Sequence, residues 1–462
     1  MIDTLEQLRA AAVAFLDRFL AAAVDIAWGP GLIVLLLGGG LFLTIRARFI
    51  PLRRAGHALE ILRGRYDQES DPGQLTHFQA LSTALAATIG LGNIGGVAIA
   101  ITQGGPGAVF WMWCAAFVGM ATKYFSCTLA ILYRGPDSAG EIQGGPMYFI
   151  EHGLGPRFRF LAVFFSACGL IGCLAIFQSN QVAGILRQAY EVPGWVTGAF
   201  CLVGAAAVSL GGIRRVGRVT SRIVPAMCLL YLVACLAVLL MHAGKLPQVL
   251  AQIFHDAFTG TAAAGGAAGI AFSQVVKIGV KRGVFSNEAG LGTAAMAHGA
   301  ARTKEPVREG LVAMLGPFID TIVVCSLTAF VILSTGLWQG VEGVEGVTLT
   351  IRAFESSLGA SGRLLLVAAA VLFGFSTMIG YSYYGRKCFG YLFGAQRARI
   401  YDAFYLGMLF VGAIWSASSV VNLIDTAYAL MALPNMIAVL WLSPKVMVET
   451  RAYFSRLRQD RP

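Results

Sequence analysis

The sequence predicts an all-α polytopic membrane protein, and three observations carry that prediction. Hydrophobic residues make up 57% of the 462 and charged residues only 13%, with a mean hydropathy of +0.70. Apolar runs of about 20 residues recur along the whole chain, the length a helix needs to cross roughly 30 Å of hydrocarbon. Basic residues crowd into alternate loops between those runs. The runs lie near 19–45, 78–102, 106–133, 158–186, 194–212, 221–243, 264–300, 308–336, 362–385, 400–418 and 423–443, which makes 11 spans. The 264–300 segment is too long for one straight crossing. The connections are short, so residues 1–462 read as a single transmembrane domain with no separate soluble unit.

The net charge of +11 is distributed unevenly. Arg46, Arg48, Arg53, Arg54, Arg63 and Arg65 occupy the first loop, and Arg214, Arg215, Arg218 and Arg222 the fifth. Arg302, Lys304 and Arg308 follow the seventh span, Arg386, Lys387, Arg397 and Arg399 the ninth, and Lys445, Arg451, Arg456, Arg458 and Arg461 the last. The other loops carry few basic residues. This alternation sets the N-terminus outside and the C-terminus in the cytoplasm of the cell (inner) membrane, with an odd number of spans. Anionic lipid headgroups explain such a surface better than a nucleic-acid partner does. The start, Met1 to Phe19, carries Asp3, Glu6, Arg9 and Asp17 and reads as an amphipathic surface helix rather than a signal peptide. Nine scattered cysteines show no CxxC or metal spacing, so neither a disulfide framework nor a zinc site is expected. No Ser–His–Asp set, HExxH or catalytic carboxylate pair occurs. The chain reads as no enzyme, with no cofactor beyond a coupling ion.

Two glycine clusters stand out within the apolar segments. The first is Thr88-Ile89-Gly90-Leu91-Gly92-Asn93-Ile94-Gly95-Gly96 in the second span, and the other is Gly283 to Thr293 in the seventh, with Phe285, Ser286, Asn287 and Glu288. Gly-x-Gly spacing favours a helix break. Backbone freed at membrane depth is tolerated only where it is buried in protein or lines a cavity. The two clusters lie five spans apart and so enter from opposite sides. Paired interrupted segments of this kind point to the binding site of a secondary transporter; the competing reading is close helix packing by small residues. Ser376 and Thr377 offer hydroxyl oxygens to a small hard cation, unless they bond back to their own helix. Gln178 and Gln181 share one face of the fourth span, as pocket residues or as polar helix–helix glue. Glu288 and Asp320 are intramembrane carboxylates; Asp320 is expected to pair with Lys277, Lys281 or Arg282. Lys123 is expected to snorkel to a nearby helix end. His298 reads either as a packed polar residue or as a proton relay, and Gly144 to Tyr148 as a turn or re-entrant gate.

Longer motifs carry a family resemblance. Trp28-Gly29-Pro30, His77 to Leu81 leading into Ala86 to Gly90, Gly104 to Ala108, Phe110 to Trp113, Met120 to Tyr124, Gly144 to Phe149, Lys281 to Gly292, Asp320 to Val324 and Ser382 to Gly385 resemble the alanine or glycine:cation symporter family (sodium:alanine symporters). That family belongs to the amino acid-polyamine-cation superfamily. The likeness runs from about Trp28 to Ser443. It implies a leucine-transporter-type inverted five-plus-five helix repeat, 78–243 and 264–443, with one extra N-terminal transmembrane helix, 19–45, and a cytoplasmic tail, 444–462. It implies a substrate held by Thr88, Gly90, Leu91, Gly92, Asn93, Gln178, Phe285, Ser286, Asn287 and Tyr381. It also implies sodium between the backbone near Ala87 and Gly90 and the hydroxyls of Ser376 and Thr377. The chain departs from the family pattern at Leu91, where threonine is usual, at Leu174-Ala175 in place of Gly-Asn, and at Tyr381 and Arg386 in place of Trp and Glu. These departures touch the proposed pocket and spare Thr88, Ser376 and Thr377.

The leading expectation is therefore a sodium symporter of a small neutral amino acid, alanine-like or glycine-like, working by alternating access in a lipid bilayer. A proton-coupled carrier using Glu288 or His298 is the alternative within transport. The span Ile223 to Met241 holds no lysine to stand in for sodium. A transporter-like sensor that binds without flux is the alternative from another class.

Overall fold

The glycine clusters do interrupt their helices, and the interruptions organise the molecule. We describe residues 17–259, 272–339 and 346–459 in a computed structural model. Helix α1 (Asp17–Ala27) bends by 42° into α2 (Pro30–Arg46). Two short helices follow, α3 (Ile50–Arg53) and α4 (Ala55–Leu62). Helix α5 (His77–Thr88) begins on a reciprocal cap, Thr76 Oγ1 accepting from Gln79 N at 3.2 Å and Gln79 Oε1 from Thr76 N at 3.1 Å. It stops at Ile89, whose backbone is extended. The chain resumes in a π-helical turn, Gly92–Gly96, and α6 (Val97–Gly104), bent by 53° from α5.

The first set continues with α7 (Gly107–Leu132), a two-residue antiparallel hairpin (Gly135–Pro136 with Ile142–Gln143) and α8 (Pro146–Phe149). After it come α9 (Arg159–Gly172), α10 (Ile176–Tyr190), α11 (Gly194–Ser209), α12 (Gly212–Met241) and α13 (Leu246–Thr259). The second set opens on another broken helix, α14 (Phe272–Asn287) and α15 (Thr293–His298). Between them Glu288, Gly290 and Gly292 take φ of +55°, +93° and +88°. Two of those three are glycines, the residue that adopts this region without a Cβ clash. Next come α16 (Pro306–Ala313), α17 (Leu315–Pro317), a π-helical turn (Phe318–Cys325), α18 (Ser326–Thr335) and α19 (Val347–Leu358). Helices α20 (Ala360–Phe393), α21 (Ala398–Ile414) and α22 (Ala417–Gln459) complete the set.

Among the described residues, six helices are long and apolar enough to cross a membrane, or up to eight if each bent pair is one span. Of the 264–300 span, residues 264–271 lie outside the described residues, as do residues 1–16 of the expected amphipathic start. Helix α7 is the central post: every residue from Gly119 to Ile131 is buried, the mark of a helix packed on all sides. Segment 444–459, which the sequence suggests is a tail, continues α22 and is anchored: Tyr124 Oη lies 2.6 Å from Thr450 Oγ1 and His57 Nε2 2.8 Å from Tyr453 Oη.

Candidate functional site

At the first break, packing against α20 leaves room only for glycine. A Cβ on Gly90 would lie 2.5 Å from Thr377 Oγ1 and 3.5 Å from Gln178 Nε2. A Cβ on Gly380 would lie 3.1 Å from Ala87. Ser376 Oγ donates to Ala86 O across the interface at 3.3 Å and to Phe373 O at 2.9 Å; Thr377 Oγ1 donates to Phe373 O at 3.1 Å. Both hydroxyls thus bond into their own helix while abutting the carbonyl end of α5. Among the described residues Thr88 bonds only back to Leu85 O, at 3.4 Å. Leu91 is buried with Cδ1 against Gly374 of α20.

The second break faces the first. A Cβ on Gly92 would meet the Phe285 ring at 3.3 Å. Phe285 stacks edge-on with Phe177 (5.2 Å between centroids) and tilts against Tyr428 (5.4 Å). Glu288 is buried and accepts from Thr293 Oγ1 and from Tyr381 Oη, which also contacts Tyr428 Oη. Asn287 caps the broken end, Oδ1 accepting from Ala289 N at 2.9 Å and Nδ2 donating to Thr321 Oγ1 at 3.1 Å.

One carboxylate joins the two breaks. Asp320, in the π-helical turn, is fully buried. Its Oδ1 accepts from Asn93 Nδ2 at 2.7 Å, and its Oδ2 from Ser286 Oγ and Thr321 Oγ1, each at 2.7 Å. Asn93 in turn accepts from Gly90 N at 2.9 Å. The expected pairing of Asp320 with Lys277, Lys281 or Arg282 is therefore wrong. Lys281 and Arg282 reach Asp425 of α22, at 2.6 and 3.4 Å, and Lys277 reaches Asp25 of α1 at 3.1 Å. Those side chains are engaged by α22 and α1, whereas Asp320 meets the broken end of α14 at Ser286. Lys123 does not snorkel: it is buried in α7, more than two turns before the helix end at Leu132, within electrostatic reach of Glu288 and Asp320.

Ion pairs and packed rings flank the breaks on two sides. On one side lie the Lys281–Asp425 pair and the Phe285–Phe177–Tyr428 rings. On the other, His298 Nδ1 lies 2.5 Å from Glu309 Oε1, and His77 Nδ1 contacts Glu309 Oε2. All three are fully buried, so His298 is packed against a carboxylate. Leu75 N donates to Ala300 O at 3.1 Å and Arg302 N to Leu75 O at 2.7 Å. Arg134 reaches Ala301 O at 2.7 Å and Pro72 O at 3.1 Å. Gly144 packs against Gly299 and Pro146 against Gly292, so the 144–148 turn lies beneath the second break.

Of the residues singled out in the sequence, Gly90, Gln178 and Thr377 converge, as do Gly92, Phe285 and Ser286, and Ser376 meets Ala86 beside Ala87. Asn180, beside Gln178, serves as helix glue, donating to Gly412 O and Trp415 O at 2.9 Å each. Sequence reasoning missed Asp320 as the joint between the breaks, and Phe177, Tyr428 and Glu309 altogether. The Asp320-to-Val324 motif was a signal for the first; the Phe177–Phe285, Phe285–Tyr428 and His77–Glu309 contacts each span more than 100 residues of chain and gave none for the others.

Two broken helices that meet at a buried polar joint mark the class as a secondary transporter. Solved structures agree on the fold. The chain superposes with a TM-score of 0.56 on MhsT in complex with L-phenylalanine, at 12% identity, over 82% of this chain and 99% of that one. With a manganese transporter of Eremococcus coleocola the TM-score is 0.51 at 12% identity, over 83% of this chain and 82% of that one. The fold is thus the leucine-transporter type.

The chain belongs to the sodium:alanine symporter family, whose sequence model matches residues 13–462. It is 44% identical over 440 residues to the sodium/alanine symporter AgcS of Methanococcus maripaludis, covering 94% of this chain and 96% of that one. It is 35% identical over 460 residues to a putative sodium/proton-dependent alanine carrier, YrbD, of Bacillus subtilis (96% and 93% covered). It is also 35% identical over 442 residues to a probable sodium/glutamine symporter, GlnT, of the same organism (95% and 91% covered). It is a membrane transporter of the amino-acid:cation symport class and not an enzyme.

Proposed function

We propose that the protein moves a small neutral amino acid into the cell together with sodium, by alternating access at the two breaks. The observation that carries this reading is Asp320, a buried carboxylate held by three neutral donors, Asn93, Ser286 and Thr321, where the two broken helices meet. A carboxylate at such a place serves a cation that comes and goes, either sodium or the substrate ammonium. The N-terminal ends of α6 and α15 carry the positive end of the helix dipole and suit the substrate carboxylate. Gly90, Leu91, Gly92, Asn93, Thr88, Gln178, Phe285, Ser286, Asn287 and Tyr381 then surround the solute. The Phe285–Phe177–Tyr428 wall and the crowding at Gly90 and Gly92 favour a small side chain. Sodium takes the carbonyls of the α5 end, near Ala87 and Gly90, with the hydroxyl oxygens of Ser376 and Thr377, a hard-donor set suited to a hard cation. The protein lies in the cell membrane with its arginine-rich face in the cytoplasm.

A thermal-shift screen of the amino acids, each with and without sodium, tests this, because a ligand that binds only the folded state raises apparent stability by mass action. Stabilisation by a small neutral amino acid that requires sodium supports the reading; stabilisation indifferent to sodium refutes it. Proton coupling is a second reading, favoured by the buried Lys123 within electrostatic reach of the buried Glu288 and Asp320. It predicts uptake that follows a pH gradient in choline medium.

A further inference from the structure

Six arginines line one cleft on the arginine-rich face. Arg46 ends α2; Arg48, Arg53 and Arg54 follow it; Arg451 and Arg458 come from the end of α22. The cleft has a volume of about 220 Å³, and no aspartate is among its lining residues. Among the described residues, none of the six arginines takes part in an ion pair. Their contacts are with carbonyls and rings. Arg53 donates to Arg48 O at 3.5 Å and Arg458 to Phe454 O at 3.2 Å, and Arg54 lies 4.2 Å over the Phe454 ring. Arg46 Nε is buried with no partner. The chain also accepts backbone strain to gather this group. Arg48 and Phe49 both take positive φ, +52° and +55°, a conformation a non-glycine residue adopts only at a cost. Like charges held this close repel, and an anion seated among them reverses the sign of that energy.

A second, independent feature says what kind of anion. The same segment exposes Phe42, Ile45, Phe49 and Leu52, while Ile50, Met447 and Phe454 line the cleft itself. A soluble phosphate uses none of that apolar surface. A phosphate carrying acyl chains uses all of it.

We propose that this cleft binds the phosphate-bearing headgroup of an anionic phospholipid, with its acyl chains against Phe42, Ile45, Phe49 and Leu52. The lipid then clasps the end of the extra helix pair α1–α2 to the end of α22. Helix α22 in turn holds the gate side of the molecule through Arg456–Glu305 and Tyr453–His57.

The test uses full-length purified protein. Native mass spectrometry and thermal unfolding are run with phosphatidylglycerol, diphosphatidylglycerol, phosphatidylethanolamine or inorganic phosphate. The expected result is retention of, and stabilisation by, the two anionic lipids alone. Each arginine near an anionic headgroup contributes about a factor of five in affinity, so Arg46→Gln/Arg54→Gln/Arg451→Gln lowers retention by roughly 100-fold. Arg214→Gln/Arg218→Gln, in a different basic patch, leaves it unchanged. Should the triple variant fail to fold, wild-type protein in nanodiscs decides the matter: anionic lipid slows amide exchange in 46–54 and 447–458 relative to phosphatidylethanolamine. Equal retention of phosphatidylethanolamine, stabilisation by inorganic phosphate, a triple variant that keeps its lipid, or unaltered exchange in those segments overturns the proposal.

Discussion

Replacing Asp320 by asparagine isolates charge from shape. The asparagine oxygen still accepts from Asn93 Nδ2, now at 2.7 Å. Its amide nitrogen faces Ser286 Oγ and Thr321 Oγ1, which donate to Asp320 Oδ2 at 2.7 Å each. Both hydroxyls can rotate to accept instead, and Thr321 still has a lone pair for Asn287 Nδ2 at 3.1 Å. The ligand-free fold therefore loses little, on the order of 1 kcal/mol. A cation bound at the joint loses its buried counter-charge, at about 3–5 kcal/mol. At 1.4 kcal/mol per tenfold, affinity for that cation falls by roughly 100- to 3,000-fold. The assay is a titration of unfolding temperature with sodium alone, then with amino acid at saturating sodium. A loss in the first titration assigns Asp320 to sodium; a loss confined to the second assigns it to the substrate ammonium. If both titrations match wild type in a folded Asp320→Asn protein, the reasoning from the buried joint is wrong.

Three further outcomes follow from the packing. Gly90→Ala forces a methyl group into the space held by Thr377 Oγ1, at 2.5 Å, so stability falls by about 1–3 kcal/mol and sodium-dependent stabilisation disappears. Gly96→Ala, with open space at its Cβ, leaves both intact; equal behaviour of the two variants in unfolding scans contradicts the account. Glu309→Gln keeps one acceptor oxygen for His77 and His298 and loses the charge, costing about 2 kcal/mol. Amide exchange at Leu75 and Arg302, whose backbones close that end, then speeds up by roughly 30-fold, and unchanged exchange means the histidine–glutamate cluster does not hold the gate.

The breaks themselves are legible because a glycine cluster in an apolar run either opens the helix or packs it tightly against a neighbour. The first break falls at Ile89–Leu91 and the second at Glu288–Gly292. The convergence of Gly90, Gln178 and Thr377 follows from the family resemblance, not from periodicity. Asp320 misleads because three cations lie within two turns of the second cluster, and nearness in sequence is not nearness in space. Helix α14 carries Lys281 and Arg282 to Asp425, 144 and 143 residues further along the chain. Lys123 misleads because an ammonium in an apolar run suggests a nearby helix end, although the run itself reaches 133 and α7 continues to Leu132. In the His77–Glu309–His298 cluster, His298 and Glu309 are 11 residues apart, but His77 reaches Glu309 from 232 residues away, and no local pattern brings it there. Helices α13 and α19 are too short to cross a bilayer, so a search for spans passes over them.

Coupled flux tests the central claim most directly. Purified protein in proteoliposomes receives an inward sodium gradient, an inward proton gradient in choline medium, or neither, with labelled alanine or glycine outside. A sodium symporter accumulates the label above the equilibrium level with the sodium gradient and not with the other two. Accumulation driven by protons in choline, or sodium-dependent binding with no flux under any gradient, contradicts that claim.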